Sequence, residues 1–138
     1  MRLIKIAVII AASIVVFSCA TTPITVPYGL TPMELIQRGQ EASDRNRFAH
    51  ALQYYDALIE RYPFDIDYIC AAEYEIAFIH YKQGDYNLSR DKFNALLSRY
   101  YAPGGQLLPQ QFEILSNIVL VRMEEKEAQR SLPLFRRR

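Results

Sequence analysis

Tryptophan is absent from the 138 residues, cysteine and histidine occur twice each, and neither sign of charge dominates, with 16 Lys and Arg against 15 Asp and Glu. Each shortage excludes something. Two cysteines allow at most one disulfide, which rules out a stapled scaffold. His50 and His80 lie in separate segments without Cys or carboxylate partners at ligand spacing, so no zinc site is readable. A formal net charge of +1 sets up no field that concentrates a polyanion, which argues against nucleic acid as a partner. There is no phosphate loop, GxSxG elbow or HExxH pair. Glu73 and Glu75, two apart, project in different directions on a helix and make no acid/base pair. The expectation is a protein that is not an enzyme and takes no cofactor, metal or small-molecule substrate. Five Gly and seven Pro are too few for a collagen-like or linker chain, and 51% apolar residues with a mean hydropathy of -0.06 exclude a polar disordered one. One small domain remains.

Long apolar runs are also scarce, and the one present opens the chain. Arg2 and Lys5 precede twelve mostly aliphatic residues, Ile6 to Phe17, and small Ser18 stands before Cys19. A cationic start, a short apolar core and a small residue at the cut describe a secretory signal, residues 1–18. The run is shorter than the roughly 18–20 apolar residues that span a bilayer, so an uncleaved single span is the alternative. Val16-Phe17-Ser18-Cys19 resembles the lipobox of bacterial lipoproteins. That resemblance implies cleavage before Cys19, diacylglycerol on its sulfur and an acylated new N-terminus, which would leave Cys70 without a disulfide partner. Cys70 sits among apolar neighbours and reads as a small buried hydrophobe rather than a reactive thiol. Losing the signal removes two basic residues and no acidic one, and turns the formal charge to -1.

Residues 19–31 hold Pro23, Pro27 and Gly29 with no amphipathic period, and read as a lipidated Cys followed by a flexible tether. Fully extended, its twelve residues Ala20 to Thr31 reach about 40 Å. A helical domain over 32–131 follows. Thr31-Pro32-Met33-Glu34 is an opening signal, with Thr as N-cap, Pro in the first turn and Glu as the capping-box acid. Leu35, Ile36, Gly39 and Ala42 then recur at helical spacing until a polar break at 43–47. A second stripe, Phe48, Ala51, Leu52, Tyr55, Leu58, Ile59 and Tyr62, runs to Pro63. The pattern returns at a shift of 38 residues, with Phe48 on Tyr86, Tyr55 on Phe93 and Arg61-Tyr62 on Arg99-Tyr100. Such a repeat of two helices is the mark of a solenoid.

Gly39, Ala51, Tyr55 and Pro63 in the first copy, and Ala77, Ser89 and Phe93 in the second, resemble the tetratricopeptide (TPR) pattern of small residue, Ala, aromatic and Pro. Tyr81-Lys82-Gln83-Gly84-Asp85-Tyr86 is similar to the turn of that repeat. The likeness implies an all-α fold of two TPR-like antiparallel helical hairpins, about 32–63 and 70–101, in a right-handed solenoid. The extra residues of the 38-residue period are expected in a longer loop over 64–69. A cap helix, about 109–130, should cover the open end, and 132–138 form a basic tail, either solvated or against anionic lipid.

In TPR proteins the first helices of successive repeats line a groove. Carried over, this points to Met33, Ile36, Gln40 and Ser43, then Tyr74, Phe78, Tyr81 and Lys82. The three aromatics fall at i, i+4 and i+7 on one helix face, open or else covered by the tether or the C-terminal tail. Together with Arg61-Tyr62-Pro63-Phe64 and YKQGDY, the lipidated Cys19 resembles the BamD-type lipoproteins of outer-membrane protein assembly, at about half their length. The resemblance implies a lipid-anchored adaptor facing the periplasm at the outer membrane, whose partners are the bilayer and an envelope protein or peptide. The rival reading is a structural subunit that binds through Ile114, Ile118 and Val121 of the cap helix.

Overall fold

The computed structural model describes residues 24–131. Cys19, the apolar run before it and the tail 132–138 lie outside the described residues. The fold is all-α: α1 Pro32–Asp44, α2 Phe48–Arg61, α3 Ile66–Gln83, α4 Tyr86–Tyr100, a 3-10 turn Gly105–Leu107, and α5 Gln110–Ser131. No strand occurs among the described residues.

Helix α1 opens as its sequence dictates. The Thr31 side chain accepts from the Glu34 N–H at 3.3 Å, and the Glu34 carboxylate accepts from the Thr31 N–H at 2.8 Å, which satisfies two of the orphan donors of a helix start. These bonds hold the Glu34 carboxyl below its usual range, most strongly the one to the Thr31 backbone. The exits from α1 and α3 share one device. Asn46 (φ 57°) and Gly84 (φ 81°) are both left-handed, and beyond each a backbone N–H reaches back to close the helix: Arg47 to the Ala42 carbonyl at 2.8 Å, Asp85 to that of His80 at 3.0 Å. Asn46 and Gly84 are 38 residues apart, as are Phe48 and Tyr86, where α2 and α4 begin. The sequence repeat is therefore a repeat of backbone geometry.

The extra residues of the period do not form a longer loop. Pro63 ends α2, only Tyr62 to Asp65 intervene, and α3 starts at Ile66, four residues ahead of the repeat boundary at 70. Ile69 N–H already bonds the Asp65 carbonyl at 2.9 Å. Four residues are close to one turn at ~3.6 residues per turn, so the excess over a 34-residue period extends α3 instead.

Helix α1 folds back on α2 and α3 on α4; α2 and α1 both touch α3, and α5 lies against α4 and α3. Leu35, Ala51, Tyr55, Leu58, Ala72 and Ile79 make the core between α1, α2 and α3. Ala77, Phe93, Val119 and Met123 make a second core under α5. Small residues set the crossings. Gly39 lies so close to Tyr55 that a Cβ there would stand 2.4 Å from the ring. In the second hairpin Ala77 meets Ser89, whose buried hydroxyl donates to the Ala77 carbonyl at 2.9 Å. Arg90 and Glu127 pair at 2.7 Å and tie α4 to α5.

The tether expectation fails over residues 24–31. Ile24 N–H donates to Gln53 Oε1 at 2.9 Å, and Arg61 donates to the carbonyls of Val26 at 3.0 Å and Pro27 at 2.7 Å. Tyr62 Oη–H donates to the Leu30 carbonyl at 2.6 Å, the Arg61 guanidinium lies 4.8 Å from the Tyr28 ring, and Leu30 is buried. The prolines that deny this stretch a helix leave its carbonyls free, and the end of α2 supplies their donors.

Candidate functional site

Helix α3 packs against both α1 and α5, and most of the groove residues lie along it. The α3 aromatics form a ladder: Tyr74 and Phe78 stack with centroids 5.8 Å apart, Phe78 and Tyr81 5.6 Å, and Tyr81 reaches Tyr86 of α4 at 5.8 Å. All four rings are half-buried. Cations rim the ladder. Lys82 Nζ lies 5.3 Å from the Phe78 ring and 5.5 Å from Phe48, Lys126 Nζ 4.5 Å from Tyr81, and the Arg130 guanidinium 5.1 Å from Tyr86. The Tyr81 hydroxyl also bonds Lys126, and this contact leads in holding its ammonium above the usual lysine range.

The structure does not present the aromatic trio as one open face. Tyr74 packs on Phe93 (5.7 Å) and on Phe112 of α5 (5.8 Å), and Tyr81 lies beneath Lys126. Burial pushes the Tyr74 hydroxyl up, with Glu75 adding to this and Arg122 of α5 opposing it. The C-terminal helix is thus the cover for two of the three rings. Phe78 packs on the same core beneath α5, while Lys82 reaches the other way and donates to Ser43 Oγ of α1. Gln40 Nε2 donates to Glu75 Oε1 at 3.0 Å, a second stitch between α1 and α3. Ile36 stands apart from the ladder, in a cleft of about 370 Å³ with Tyr68, Ala71 and Phe112. Met33 points to solvent.

Tyr68, Glu75, Phe112 and Lys126 complete this surface and were not singled out in the sequence. For Glu75 a signal existed: it lies four before Ile79 and seven before Lys82, on the side of α3 that meets α1. The α5 residues had none, because their relation to α3 depends on how α5 packs.

The arrangement offers contact surface rather than reactive groups. Burial pushes the Cys70 thiol up, against smaller opposing effects of the Tyr100 hydroxyl and Arg99. It is a buried hydrophobe among Leu96 and Tyr100. His80 is half-buried, and its pKa is pushed down by that burial and by Lys92. Among the described residues no three His, Cys, Asp or Glu side chains cluster to hold a metal ion, and no helix is long and apolar enough to cross a membrane.

The outer face of α5 is a second unpartnered surface. Ile114, Ile118 and Val121 are 59%, 41% and 53% exposed, with Leu115 beside them, on the side away from the buried Val119 and Met123.

No protein-family model matches the chain, and no solved structure matches it. It is similar to an uncharacterized protein of Treponema pallidum (strain Nichols), 32% identical over 110 residues, which cover 78% of this chain and 44% of the relative. The chain thus spans less than half the length of that relative.

Proposed function

We propose that this chain is a lipid-anchored adaptor of the bacterial envelope, built as a tetratricopeptide-type right-handed solenoid. Helices α1–α2 and α3–α4 are two repeats, and α5 stands where the first helix of a third would. Acylated Cys19 holds it at the membrane, on the periplasmic side of the outer membrane, and a partner polypeptide binds across α1, α3 and α5. Its role is scaffolding, in outer-membrane protein assembly or a related envelope complex, without catalysis. The observation that carries this reading is the aromatic ladder on α3, with α1 and α5 each packed against that helix and Lys82, Lys126 and Arg130 on its rim. Aromatic and cationic side chains dominate interface hot spots.

The test is capture from crosslinked, solubilised envelopes with identification by mass spectrometry. Phe78→Ala with Lys82→Gln removes the middle of the ladder and its cation and should abolish the partner, provided circular dichroism shows the helices intact. Undiminished capture would sink the groove and favour the second reading, a structural subunit that seats its outer α5 face in a larger assembly. Ile114, Ile118 and Val121 are spaced by four and three, as in the seam of paired helices, and Ile118→Glu should then abolish capture while the groove variant does not.

A further inference from the structure

A polar cleft lies on the far side of α1 from the groove. It encloses about 510 Å³ between α1 and α2, with Arg38, Arg45, Arg47, His50 and Tyr54 on its walls and Ile24 at its edge. Among the described residues the ion pairs are Arg90–Glu127 and Arg99–Glu73, and the three cleft arginines enter neither, although Arg38 lies close enough to Glu34 to help lower its carboxyl. Two carboxylates also line the cleft, and each is engaged on its own helix: Glu34 by Thr31, and Glu41 by Gln37 Nε2 at 3.0 Å. Three guanidiniums against these two leave an excess of positive charge in an open, anion-sized recess.

Its place along the chain matters as much as its charge. Arg61, Tyr62 and Gln53 pin residues 24–30 to α2, so Ile24 is held on the body five residues after Cys19. Five residue steps span at most about 18 Å. A lipid on Cys19 therefore keeps Ile24, at the edge of the cleft, within that distance of the anchor, well short of the roughly 40 Å that a free tether would allow.

We propose that this cleft is the membrane-facing surface of the protein, with Arg38, Arg45 and Arg47 bound to the phosphates of anionic lipid head groups beside the anchor. The inference rests on the lipid-anchor reading and adds an orientation to it. At 100° per residue, Arg38, Glu41 and Arg45 fall on the opposite side of α1 from Ile36, Gln40 and Ser43. Docking by the cleft turns the groove away from the bilayer and toward a partner.

The test uses the processed full chain. Intact mass reads the acyl group on Cys19, and the protein is then reconstituted in vesicles of phosphatidylcholine alone or with one-third phosphatidylglycerol. Hydrogen exchange over 38–54 is the readout. One net positive charge near an anionic surface is worth about fivefold in docking, so three arginines opposed by Glu34 and Glu41 should slow exchange about fivefold in the anionic vesicles. Arg38→Gln/Arg45→Gln/Arg47→Gln should erase the difference while exchange over 86–100 is unchanged, and Arg45→Gln alone should weaken it. An acylated protein whose exchange is the same in both vesicles overturns the inference and leaves the anchor standing. Protection reproduced by inorganic phosphate with phosphatidylcholine vesicles also overturns it, in favour of a soluble anion. Absence of the acyl mass overturns the anchor and this inference with it.

Discussion

Gly39→Ala sets two known effects of opposite sign against each other at one atom. In a helix interior Ala is worth about 0.5–1 kcal/mol over Gly, through backbone entropy. At Gly39 the added methyl would stand 2.4 Å from Tyr55 Cε1 and 2.6 Å from Cζ, and Tyr55 is fully buried. The ring has nowhere to swing, so α1 and α2 must separate, and overpacking of this kind costs about 1–3 kcal/mol. The expected net is a loss of about 1–2 kcal/mol, or a fall in Tm of very roughly 5–15 °C for a body of this size. The second repeat is the built-in comparison. There Ala77 occupies the position of Gly39 and Phe93 that of Tyr55, both fully buried, so a methyl is accommodated where the helix crossing was built around it. A double-mutant cycle isolates the contact: with Tyr55→Leu the obstructing ring atoms are gone, and Gly39→Ala should become neutral or stabilising. Urea denaturation followed by circular dichroism reads all four corners. A Gly39→Ala protein more stable than the parent, or one equally destabilised with and without the Tyr55 ring, would refute the close-contact argument.

Other expectations concern single groups. The Tyr55 hydroxyl is buried without a hydrogen-bond partner, and such a group costs about 1–3 kcal/mol, so Tyr55→Phe should hold or raise the urea midpoint; a loss above about 1 kcal/mol would mean the hydroxyl is satisfied. Arg61→Ala removes the donor to the Val26 and Pro27 carbonyls and the stack on Tyr28, and should speed exchange across 24–31 while leaving α4 unchanged; equal exchange would show that Arg61 does not hold the segment. Burial holds the Glu73 carboxyl above its ordinary value despite its pairing with Arg99, and Asp56 is raised by burial likewise. The folded state then binds these protons more tightly than the unfolded one, so their contribution to stability is greatest at low pH. It declines as pH rises from the ordinary carboxylate value of about 4 through the raised folded values. Glu73→Gln should flatten part of that decline in urea midpoints, and an unchanged slope would contradict the burial argument.

What could be read in the sequence was local or repeated. The Thr31 and Glu34 box, the stop at Pro63 and the left-handed Gly84 each depend on a few consecutive residues, and the structure holds all three. The 38-residue period marks which residues sit at helix crossings, and Gly39, Ala51, Tyr55, Ala77 and Phe93 are packing positions in the sequence pattern and in the fold alike. Long-range contacts were illegible. Ile24 to Gln53 and Tyr62 to Leu30 join residues about thirty apart, and Pro23, Pro27 and Gly29 carry no mark that distinguishes a pinned strand of chain from a free one. The early start of α3 is marked in the sequence by Asp65 at the N-cap and Asp67 in the first turn, a short signal beside the stronger repeat boundary at 70, and Asp65 makes no side-chain cap bond. The aromatic trio shared one face as its spacing required. Its partial cover was a property of α5, which the spacing within α3 does not contain.

Helix α5 also shows why the word cap describes only one side of it. A cap repeat ends a stack by turning a polar face to water. Here Ser116, Val119 and Met123 are buried against α3 and α4, while Ile114, Leu115, Ile118 and Val121 stand exposed on the other side. A helix apolar on two sides belongs between two layers, and only one layer is present in the described residues. The groove and this outer seam are then different kinds of surface. The groove already has its cations seated on its rings, so a ligand there must displace Lys82 or Lys126 from aromatic faces worth about 0.5–1 kcal/mol each at exposed sites. The seam has nothing to displace but water, and each apolar side chain buried there contributes by the area it loses at about 25 cal/mol per Å². Affinity is therefore expected from the outer face of α5 and selectivity from the ladder. A partner that uses both should lose strength with Ile118→Glu and discrimination with Phe78→Ala.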